Sequence, residues 1–294
     1  MSASNDSIVY LNGKFVPASE AKVSVFDHSF LYGDGCFETI IVRNGKPFRL
    51  SEHIDRLVRT TRVLGIRIPL SRDELRNSLL ELVKRNDLAN AYTRITLTRG
   101  EGYSSSDPRL CETPTLVMFA YDLENHPAEK FGGKGAGLRC MIVSTRRIPP
   151  VCLDARIKAN NYVNMILARM EAIAANVDEA IMLDTSNFVA ECPTRNIFIV
   201  RKKELETPND HNVLNGITRD VVIELSQKNG WPTRKRDLTA YDLYNADEVL
   251  ACSTGGGIKP IVEIDGRKIG DGQVGPVTRK LVEQYEYLLV NQDI

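Results

Sequence analysis

The sequence predicts a two-domain α/β (α+β) protein, and three of its features support that prediction. Short β-prone runs alternate with amphipathic helical stretches along most of the chain. With 294 residues and 43% hydrophobic content, the chain can bury two moderate hydrophobic cores. Residues 122–137 contain Pro127 and four glycines, which is the composition of an interdomain linker. We therefore expect a small N-terminal domain over residues 1–121 and a larger domain over residues 138–294.

Composition and charge argue against several classes of function. The 38 basic and 38 acidic residues are well mixed and give a formal net charge of zero, so we expect no nucleic-acid or membrane surface. The amino terminus lacks the features of a signal peptide and no apolar run reaches the length of a membrane span, which predicts a cytoplasmic protein. The six cysteines include no C-x-x-C pair, which argues against a metal site and a disulfide framework.

Turn signals and β-prone runs define the predicted strands of the small domain. Asn-Gly and Asp-Gly pairs favour the positive backbone angles of a tight hairpin turn. A turn containing Gly33 and Gly35 precedes a β-prone run over residues 36–42, and alternating runs follow at residues 92–98 and 115–121. The hairpin pairs are Asn12-Gly13, Asn44-Gly45 and, in the second domain, Asp265-Gly266.

Two helices of the small domain are predicted from their capping residues. Ser51 is the predicted N-cap of a charge-rich helix that ends at Gly65. Ser71 and Glu74 form a predicted capping box for a second helix, which runs to about Arg85. The sequence therefore defines a start for each of these helices.

The stretch from residue 156 to residue 191 is the centre of the prediction. Lys158 lies just ahead of a helix that is predicted from apolar residues at helical spacing. A Pro-Pro pair precedes the lysine and excludes helix there. Apolar runs at residues 179–184 and 188–191 predict two strands joined by a turn, with Glu191 at the end of the second. The apolar stripe of the helix comprises Val163, Ile166, Leu167, Met170, Ile173 and Ala174.

Two later segments present backbone amides in a way that suits an anion. A helix is predicted from Thr218 to about Asn229, directly after a loop, and the unpaired N–H groups of a helix start attract anions. The predicted strand at residues 248–252 opens into a glycine-rich turn at residues 253–257. A last helix is predicted to begin at Pro276.

These segments resemble the class IV, or fold-type IV, pyridoxal-phosphate aminotransferases over nearly the whole chain. The family contains branched-chain and D-amino-acid aminotransferases, (R)-selective amine transaminases and aminodeoxychorismate lyase. The resemblance implies a small and a larger α/β domain, the larger with a barrel-like sheet, and pyridoxal 5'-phosphate as cofactor. The motifs that carry it are YGDGCFET at residues 32–39, E-H-x-x-R-L at residues 52–57, KANNYVN at residues 158–164, GIT at residues 216–218 and STGGGI at residues 253–258.

The resemblance also implies a role for each residue that would face the cofactor. Lys158 would form the Schiff base and move the proton during amino transfer, and Glu191 would pair with the ring nitrogen. Arg56 would bind the phosphate through its planar guanidinium, and Tyr162 would donate to the ring hydroxyl. Further cofactor contacts are implied at Leu214, Gly216, Ile217, Thr218, Ser253 and Thr254, and substrate contacts at Tyr32, Phe37, Thr39, Arg94, Gly255 and Gly256.

The sequence defines the substrate less well than the cofactor. Branched-chain enzymes of the family carry an arginine where this chain has Ile41, whereas the run around Arg94 resembles the branched-chain-like members. The resemblance favours a ping-pong transamination between a branched-chain-like L-amino acid and a 2-keto acid. An (R)-selective amine transaminase, a D-amino-acid transaminase and an aminodeoxychorismate lyase are the alternatives.

A different class of function stays open, namely a pyridoxal-phosphate-binding regulatory protein without catalysis. The segment CPTR at residues 192–195 departs from the small residues and glycine that relatives often carry after the glutamate. Family members are homodimers or dimers of dimers, so the resemblance implies one of these assemblies for this chain.

Overall fold

The computed structural model describes residues 7–123 and 137–292, and these form two compact units. The N-terminal unit comprises the described residues up to 123 together with Ile157–Tyr162, and the C-terminal unit comprises the other described residues. Lys158 and Tyr162 therefore pack with the N-terminal unit, although they lie in the second half of the chain. The predicted linker at residues 122–137 falls almost entirely outside the described residues, and the expected domain boundaries stay a prediction.

The N-terminal unit is built on a six-stranded sheet in which every strand pair is antiparallel. Its strands are β1 (Ile8–Leu11), β2 (Lys14–Pro17), β3 (Gly35–Arg43), β4 (Lys46–Pro47), β5 (Ala91–Thr98) and β6 (Leu116–Asp122). The strand order is β2-β1-β6-β5-β3-β4. The predicted Asn-Gly turns join β1 to β2 and β3 to β4, with positive φ angles at Asn12 and Asn44, which confirms both hairpins.

Helices of this unit confirm one predicted cap and correct another. They are α1 (His28–Tyr32), α2 (Leu50–Leu64) and α3 (Arg72–Arg85). The capping box of α3 forms as predicted, because Glu74 N donates to Ser71 Oγ (3.3 Å) and Ser71 N donates to Glu74 Oε2 (2.7 Å). The prediction of Ser51 as the N-cap of α2 is wrong. The helix begins two residues earlier than predicted, at Leu50, which is buried in the core, and Arg49 takes the cap position.

The residues of β3 alternate between the two faces of the sheet. Cys36, Ile40 and Val42 pack in the hydrophobic core with residues of α2 and α3. Phe37 and Thr39 point to the opposite face. A single strand therefore supplies both the core of this unit and its second, more polar face.

A buried ion cluster joins β3 to α2. Arg56 donates to Glu38 through Nε (2.7 Å) and Nη2 (2.8 Å), and His53 Nδ1 lies 2.7 Å from Glu38 Oε2. Burial raises the pKa of Glu38, but the charges and hydrogen bonds of Arg56 and His53 outweigh burial and hold that pKa well below its usual range. Glu38 is therefore ionised although it is fully buried.

The histidine of this cluster is neutral at pH 7. Burial lowers the pKa of His53, and the positive charges of Arg56 and Lys158 lower it further, while Glu38 acts in the opposite direction. Because an ionised carboxylate only accepts hydrogen bonds, the tautomer is assigned with Nδ1–H of His53 donating to Glu38.

The C-terminal unit contains a mixed sheet of eight strands. They are β7 (Leu138–Ile142), β8 (Glu179–Ile181), β9 (Asn196–Arg201), β10 (Glu204–Thr207), β11 (Thr233–Lys235), β12 (Glu248–Ser253), β13 (Gly257–Ile264) and β14 (Arg267–Lys268). The order is β11-β10-β9-β12-β13-β7-β8, and β14 pairs with β13. Strand β7 runs parallel to β13 and β8, and β10 runs parallel to β11, while the other pairs are antiparallel. The two sheets with their helices confirm the predicted α/β class.

The helices of this unit are α4 (Val163–Ala174), α5 (Ile217–Lys228), α6 (Ala240–Tyr244) and α7 (Pro276–Asn291). Helices α5 and α7 confirm the two helices that were predicted near Thr218 and at Pro276. In the part of the chain that the structure describes, no helix has both the length and the apolar content needed to cross a membrane.

The second of the two predicted central strands does not form as a regular strand. Residues 188–191 pair with the preceding run through one bridge, between Leu183 and Val189, and through backbone hydrogen bonds that join Met182 to Ala190 and Glu191. Glu191 therefore lies on a short extended segment beside the sheet.

Helix α4 forms as predicted, but its apolar stripe is not buried. The exposed fraction in the stripe ranges from 48% at Leu167 to 63% at Ile173, and Val163, Ile166 and Met170 lie between these values. The buried residues of α4 are Met165, Ala168 and Ala172. The two alanines let the helix pack closely against β8, so its larger apolar residues face outward.

We expect the buried ion cluster to make the stability of the protein depend on pH. Because the pKa of His53 is lowered in the folded chain, the unfolded chain binds a proton that the folded chain does not bind as pH falls below about 6.5. The free energy of unfolding should then fall on acidification, by at most about 1.4 kcal/mol per pH unit from this group.

Urea denaturation of the wild type and of His53→Gln between about pH 7.5 and pH 5.5 measures this contribution. The wild type should lose more stability over this interval than the variant, which has no titrating group at position 53. If the free energy of unfolding changed equally with pH in the two proteins, the assignment of a neutral buried His53 would be wrong.

Candidate active site

The backbone of Lys158 is fixed on strand β3. Phe37 N donates to Lys158 O (3.0 Å), Asn160 N donates to Gly35 O (2.8 Å), and the lysine segment pairs with β3 through a bridge at Cys36. A Cβ atom at Gly35 would lie 2.8 Å from the carbonyl oxygen of Leu97 on β5, so only glycine lets β3 lie this close to β5. The strand therefore determines where the lysine side chain begins.

The side chain of Lys158 lies beside an aromatic and cationic group of residues. Its Nζ atom is 4.6 Å from the ring centroid of Phe37, and Cζ of Arg94 is 3.7 Å from the same centroid. The ring of Tyr162 meets that of Phe37 edge-on at 5.3 Å. Four residues that the sequence predicted for the site are thus brought together within the N-terminal unit.

Hydroxyl groups and one further cation extend this face of the sheet. Thr39 Oγ1 lies 3.2 Å from the hydroxyl of Tyr92, and Arg94 Nε donates to Thr96 Oγ1 (3.1 Å). Burial lowers the pKa of Arg94 below its usual value, although a guanidinium stays charged at neutral pH. Among the described residues, Arg94 contacts the Phe37 ring and the hydroxyls of Thr96 and Tyr92 rather than a carboxylate. The face therefore offers a cation and hydroxyls to a carboxylate ligand.

Two other predicted residues of the N-terminal unit have surroundings that the sequence did not predict. Arg56 uses Nε and Nη2 to bind Glu38, so a buried carboxylate already orients the guanidinium that was expected to bind a phosphate. Tyr32 is 44% exposed at the end of α1, where its ring meets His28 edge-on at 5.2 Å. The ligand contacts predicted for both residues stay predictions.

In the C-terminal unit, the carboxylate of Glu191 accepts hydrogen bonds from three donors. Arg147 Nε donates to Oε1 (3.0 Å), while Asn196 Nδ2 (3.2 Å) and the backbone N of Leu214 (3.0 Å) donate to Oε2. Glu191 is only 5% exposed, and an ionised carboxylate is stable at such depth only when it is paired and hydrogen-bonded. The arrangement therefore fixes a negative charge at a defined position.

Asn196 connects Glu191 to the loop that precedes α5. Besides Glu191, its Nδ2 atom donates to the carbonyl oxygen of Leu214 (2.9 Å). A Cβ atom at Gly216 would lie 2.0 Å from Asn196 Oδ1, so the loop needs glycine at that position. Neither Asn196 nor Arg147 was among the site residues predicted from the sequence.

The start of α5 has the properties that were predicted for an anion-binding turn. Gly216 is the N-cap and provides no side chain to cap the helix, and the first helical residues are Ile217 and Thr218. The amides of the first turn therefore need an acceptor from elsewhere, and the helix dipole favours a negative one. Arg219, which is 1% exposed, donates to Thr207 Oγ1 (3.1 Å) and Asp210 Oδ1 (2.6 Å) and so anchors the loop before the helix.

The second glycine-rich segment, at residues 253–257, links β12 to β13. Gly256 N donates to Ser253 Oγ (3.2 Å), and Gly257 has a φ angle of 61° that favours glycine. The turn, which includes Thr254 and Gly255, is partly exposed. Its hydroxyls and amides are groups that can bind an anion.

Comparison with known proteins identifies the family. The amino-transferase class IV model matches residues 35–264. A putative branched-chain-amino-acid aminotransferase of Methanocaldococcus jannaschii is 45% identical over 279 residues, which cover 95% of this chain and 95% of that protein. A D-alanine aminotransferase of Staphylococcus haemolyticus is 33% identical over 283 residues, which cover 94% of this chain and 96% of that protein.

Solved structures agree with the sequence comparison. A branched-chain amino acid aminotransferase from T.th. with pyridoxamine 5'-phosphate is 33% identical, has a TM-score of 0.92, and covers 98% of this chain and 95% of that chain. The Escherichia coli branched-chain amino acid aminotransferase, at 29% identity, also gives a TM-score of 0.92, over 98% of this chain and 96% of that chain. The chain belongs to the class IV aminotransferase family and is an aminotransferase, as the motifs around Lys158 predicted.

Proposed function

We propose that this aminotransferase uses pyridoxal 5'-phosphate and transfers an amino group between a branched-chain-like L-amino acid and a 2-keto acid in a ping-pong mechanism. The observation that carries the proposal is the buried carboxylate of Glu191, which three donors hold in place. A fixed carboxylate of this kind suits a protonated pyridine nitrogen. Solved structures of relatives with pyridoxamine 5'-phosphate and with N-(5'-phosphopyridoxyl)-L-glutamate support the same cofactor here.

Carboxylate, amide and hydroxyl groups are assigned to the ring and the phosphate of the cofactor. Glu191 would hold the proton on the ring nitrogen, and Leu214 would pack on the ring. The amides of residues 216–218 and the hydroxyls of Ser253 and Thr254 would bind the phosphate, since a helix start without a side-chain cap needs such an acceptor. When bound, the cofactor supplies a carbonyl for the amine and an electron sink for the bond that breaks.

Lys158 is the reactive amine in the proposed mechanism. Lys158 would anchor the cofactor and would move a proton at the substrate carbon, with its backbone held on β3. Tyr162 would donate to the ring hydroxyl, and Arg56, oriented by Glu38, would bind the phosphate.

The substrate assignment rests on the polar face of β3 and on the relatives. Arg94 would bind a carboxylate, with the hydroxyls of Thr39 and Tyr92 beside it and Phe37 as an apolar contact. Tyr32 and the amides of residues 255–256 complete the proposed substrate contacts. A branched-chain substrate is favoured because several relatives carry that name, including one 45% identical.

A D-amino-acid donor is the second candidate. D-alanine aminotransferases are 33% and 32% identical to this chain over at least 94% of its length. Spectral half-reactions with matched L- and D-amino acids distinguish the two candidates, because only an accepted donor converts the bound cofactor.

We also propose a homodimer, or a dimer of dimers, in the cytoplasm. The exposed apolar stripe of α4 is the surface that supports self-association, since five large apolar residues on one helix face are costly to leave in water. All six cysteines are free thiols in the structure, which is the usual state in a reducing compartment.

Replacement of Lys158 tests the proposed function. Lys158→Ala removes the amine that anchors the cofactor and transfers the proton, so we expect transamination to fall by roughly 10²-fold to 10⁴-fold from the loss of the base alone. The visible absorbance of the bound cofactor should also change. The exposed lysine variant Lys268→Ala serves as the control and should keep both properties. Unchanged turnover in Lys158→Ala would refute the proposed function.

Replacement of Asn196 tests the support of Glu191. Asn196→Ala removes one of the three donors and should raise the dissociation constant of pyridoxal 5'-phosphate by roughly 10-fold. Asn196→Asp should raise it further, because a second carboxylate would then face Glu191. Absorbance titration of the apoprotein measures both, with Asn245→Ala, which alters an exposed asparagine, as the control. Equal affinities in all four proteins would show that Asn196 does not support the cofactor site.

Substitution on α4 tests the proposed homodimer. A double variant with Ile166→Glu and Met170→Glu places two charges on the exposed stripe and should dissociate the assembly to single chains, because burying both charges is unfavourable. Analytical ultracentrifugation gives the mass. Val63→Glu changes another exposed apolar residue, on α2, and should leave the assembly intact. A monomeric wild type, or equal dissociation in both variants, would rule out the stripe as the interface.

A further inference from the structure

Arg195, the last residue of the CPTR segment, lies directly against the turn at residues 253–257. Its Nη1 atom donates to Ser253 Oγ (3.3 Å), and that same oxygen accepts a hydrogen bond from Gly256 N (3.2 Å). The guanidinium and the turn therefore share one hydroxyl.

The guanidinium also occupies the space that a side chain at position 256 would need. A Cβ atom at Gly256 would lie 2.2 Å from Nη1, 2.7 Å from Nη2 and 2.8 Å from Cζ of Arg195. Real Cβ atoms do not approach other heavy atoms so closely, so glycine at 256 and arginine at 195 fit each other. The position of the turn is thus set by the arginine that packs against it.

Arg195 is itself held in one position. Its side chain is 11% exposed, and its Nε atom donates to Glu179 Oε2 (3.3 Å). Arg169 Nη1 donates to the other oxygen of Glu179 (3.1 Å), so one carboxylate serves two arginines. The backbone of Arg195 is fixed as well, because Cys192 N donates to Arg195 O (2.9 Å).

This arrangement leaves a positive charge beside the turn. Arg195 places its charge directly against the turn and is mostly shielded from water, whereas Arg169 and Glu179 pair with each other. The carboxylate of Glu286 lies near Gly257 at the end of the turn, but it is exposed and therefore screened by water. Charges interact more strongly where water is excluded, so Arg195 favours an anion at the adjacent amides and hydroxyls.

We propose that Arg195 is a positioning residue. It holds the 253–257 turn in its anion-binding conformation and places a positive charge beside it. The proposal rests on the proposed function, in which the hydroxyls of this turn bind the cofactor phosphate and its amides at residues 255–256 contact the substrate. Arg195 acts through Ser253 and Gly256, and it does not itself contact the reacting atoms. The arginine of the CPTR segment, which departs from the family pattern, therefore supports the binding turn.

The test compares three variants of the full-length protein. Arg195→Met removes both the charge and the hydrogen bonds, whereas Arg195→Lys keeps the charge and removes the planar fork. Arg169→Met is the matched control, since it removes the other arginine on Glu179 but no contact with the turn. In each single variant Glu179 keeps one arginine partner, so the buried carboxylate is not left unpaired.

Two measurements are made on each protein, namely the dissociation constant of pyridoxal 5'-phosphate by absorbance titration and the separate kcat and KM for an amino donor. We expect Arg195→Met to raise the dissociation constant and KM by roughly 10-fold to 100-fold, with a much smaller change in kcat. Arg195→Lys should recover part of this loss, and Arg169→Met should stay within about 3-fold of the wild type.

The outcomes separate this proposal from the proposed function. If the wild type binds the cofactor and Arg195→Met matches Arg169→Met in both measurements, Arg195 has only a packing role and the proposal is wrong. A 10-fold to 100-fold fall in kcat of Arg195→Met, with KM unchanged, would also overturn the proposal, because a residue that positions a binding turn acts on affinity. A wild type that fails to bind pyridoxal 5'-phosphate would overturn both proposals together.

Discussion

The carboxylate of Glu191 is the group on which the C-terminal site depends. A buried charge is costly, and here Arg147, Asn196 and the amide of Leu214 offset that cost with three hydrogen bonds. The same bonds fix the loop at Leu214, and Asn196 in turn requires glycine at 216. The proposed partner of the ring nitrogen and the proposed phosphate-binding turn are thus parts of one hydrogen-bonded group.

Strand β3 has a comparable place in the N-terminal unit. Because its side chains alternate, Glu38 points toward α2, where it orients Arg56, while Phe37 points to the opposite face and contacts Lys158 and Arg94. The backbone of the same strand binds the lysine segment. A change in the register of β3 would therefore move the lysine and would exchange the two sets of side chains.

The sequence predicted the features that depend on local signals. Asn-Gly turns, the capping box of α3 and the helix after Gly216 are specified by adjacent residues, and the structure has each of them. The family motifs then identified Lys158 and Glu191 as candidates. The start of α2 was misplaced because burial of Leu50 outweighed the local serine signal.

The partners of the predicted residues could not be read from local patterns. Arg147 and Glu191 are 44 residues apart in the sequence, and Arg195 and Ser253 are 58 apart. Glu38 left a weaker signal, since an acid within an otherwise apolar strand needs a buried partner. The sequence also could not show that the apolar stripe of α4 is exposed, because the spacing of apolar residues defines a helix face but not what packs against it.

The central claim is that Glu191 is an ionised carboxylate that keeps the cofactor nitrogen protonated. Nitrogen-15 NMR of the full-length protein, loaded with pyridoxal 5'-phosphate labelled at the ring nitrogen, measures that protonation state directly. We predict the chemical shift of a protonated ring nitrogen in the wild type and of an unprotonated one in Glu191→Gln. An unprotonated nitrogen in the wild type, or the same shift in both proteins, would contradict the role assigned to Glu191.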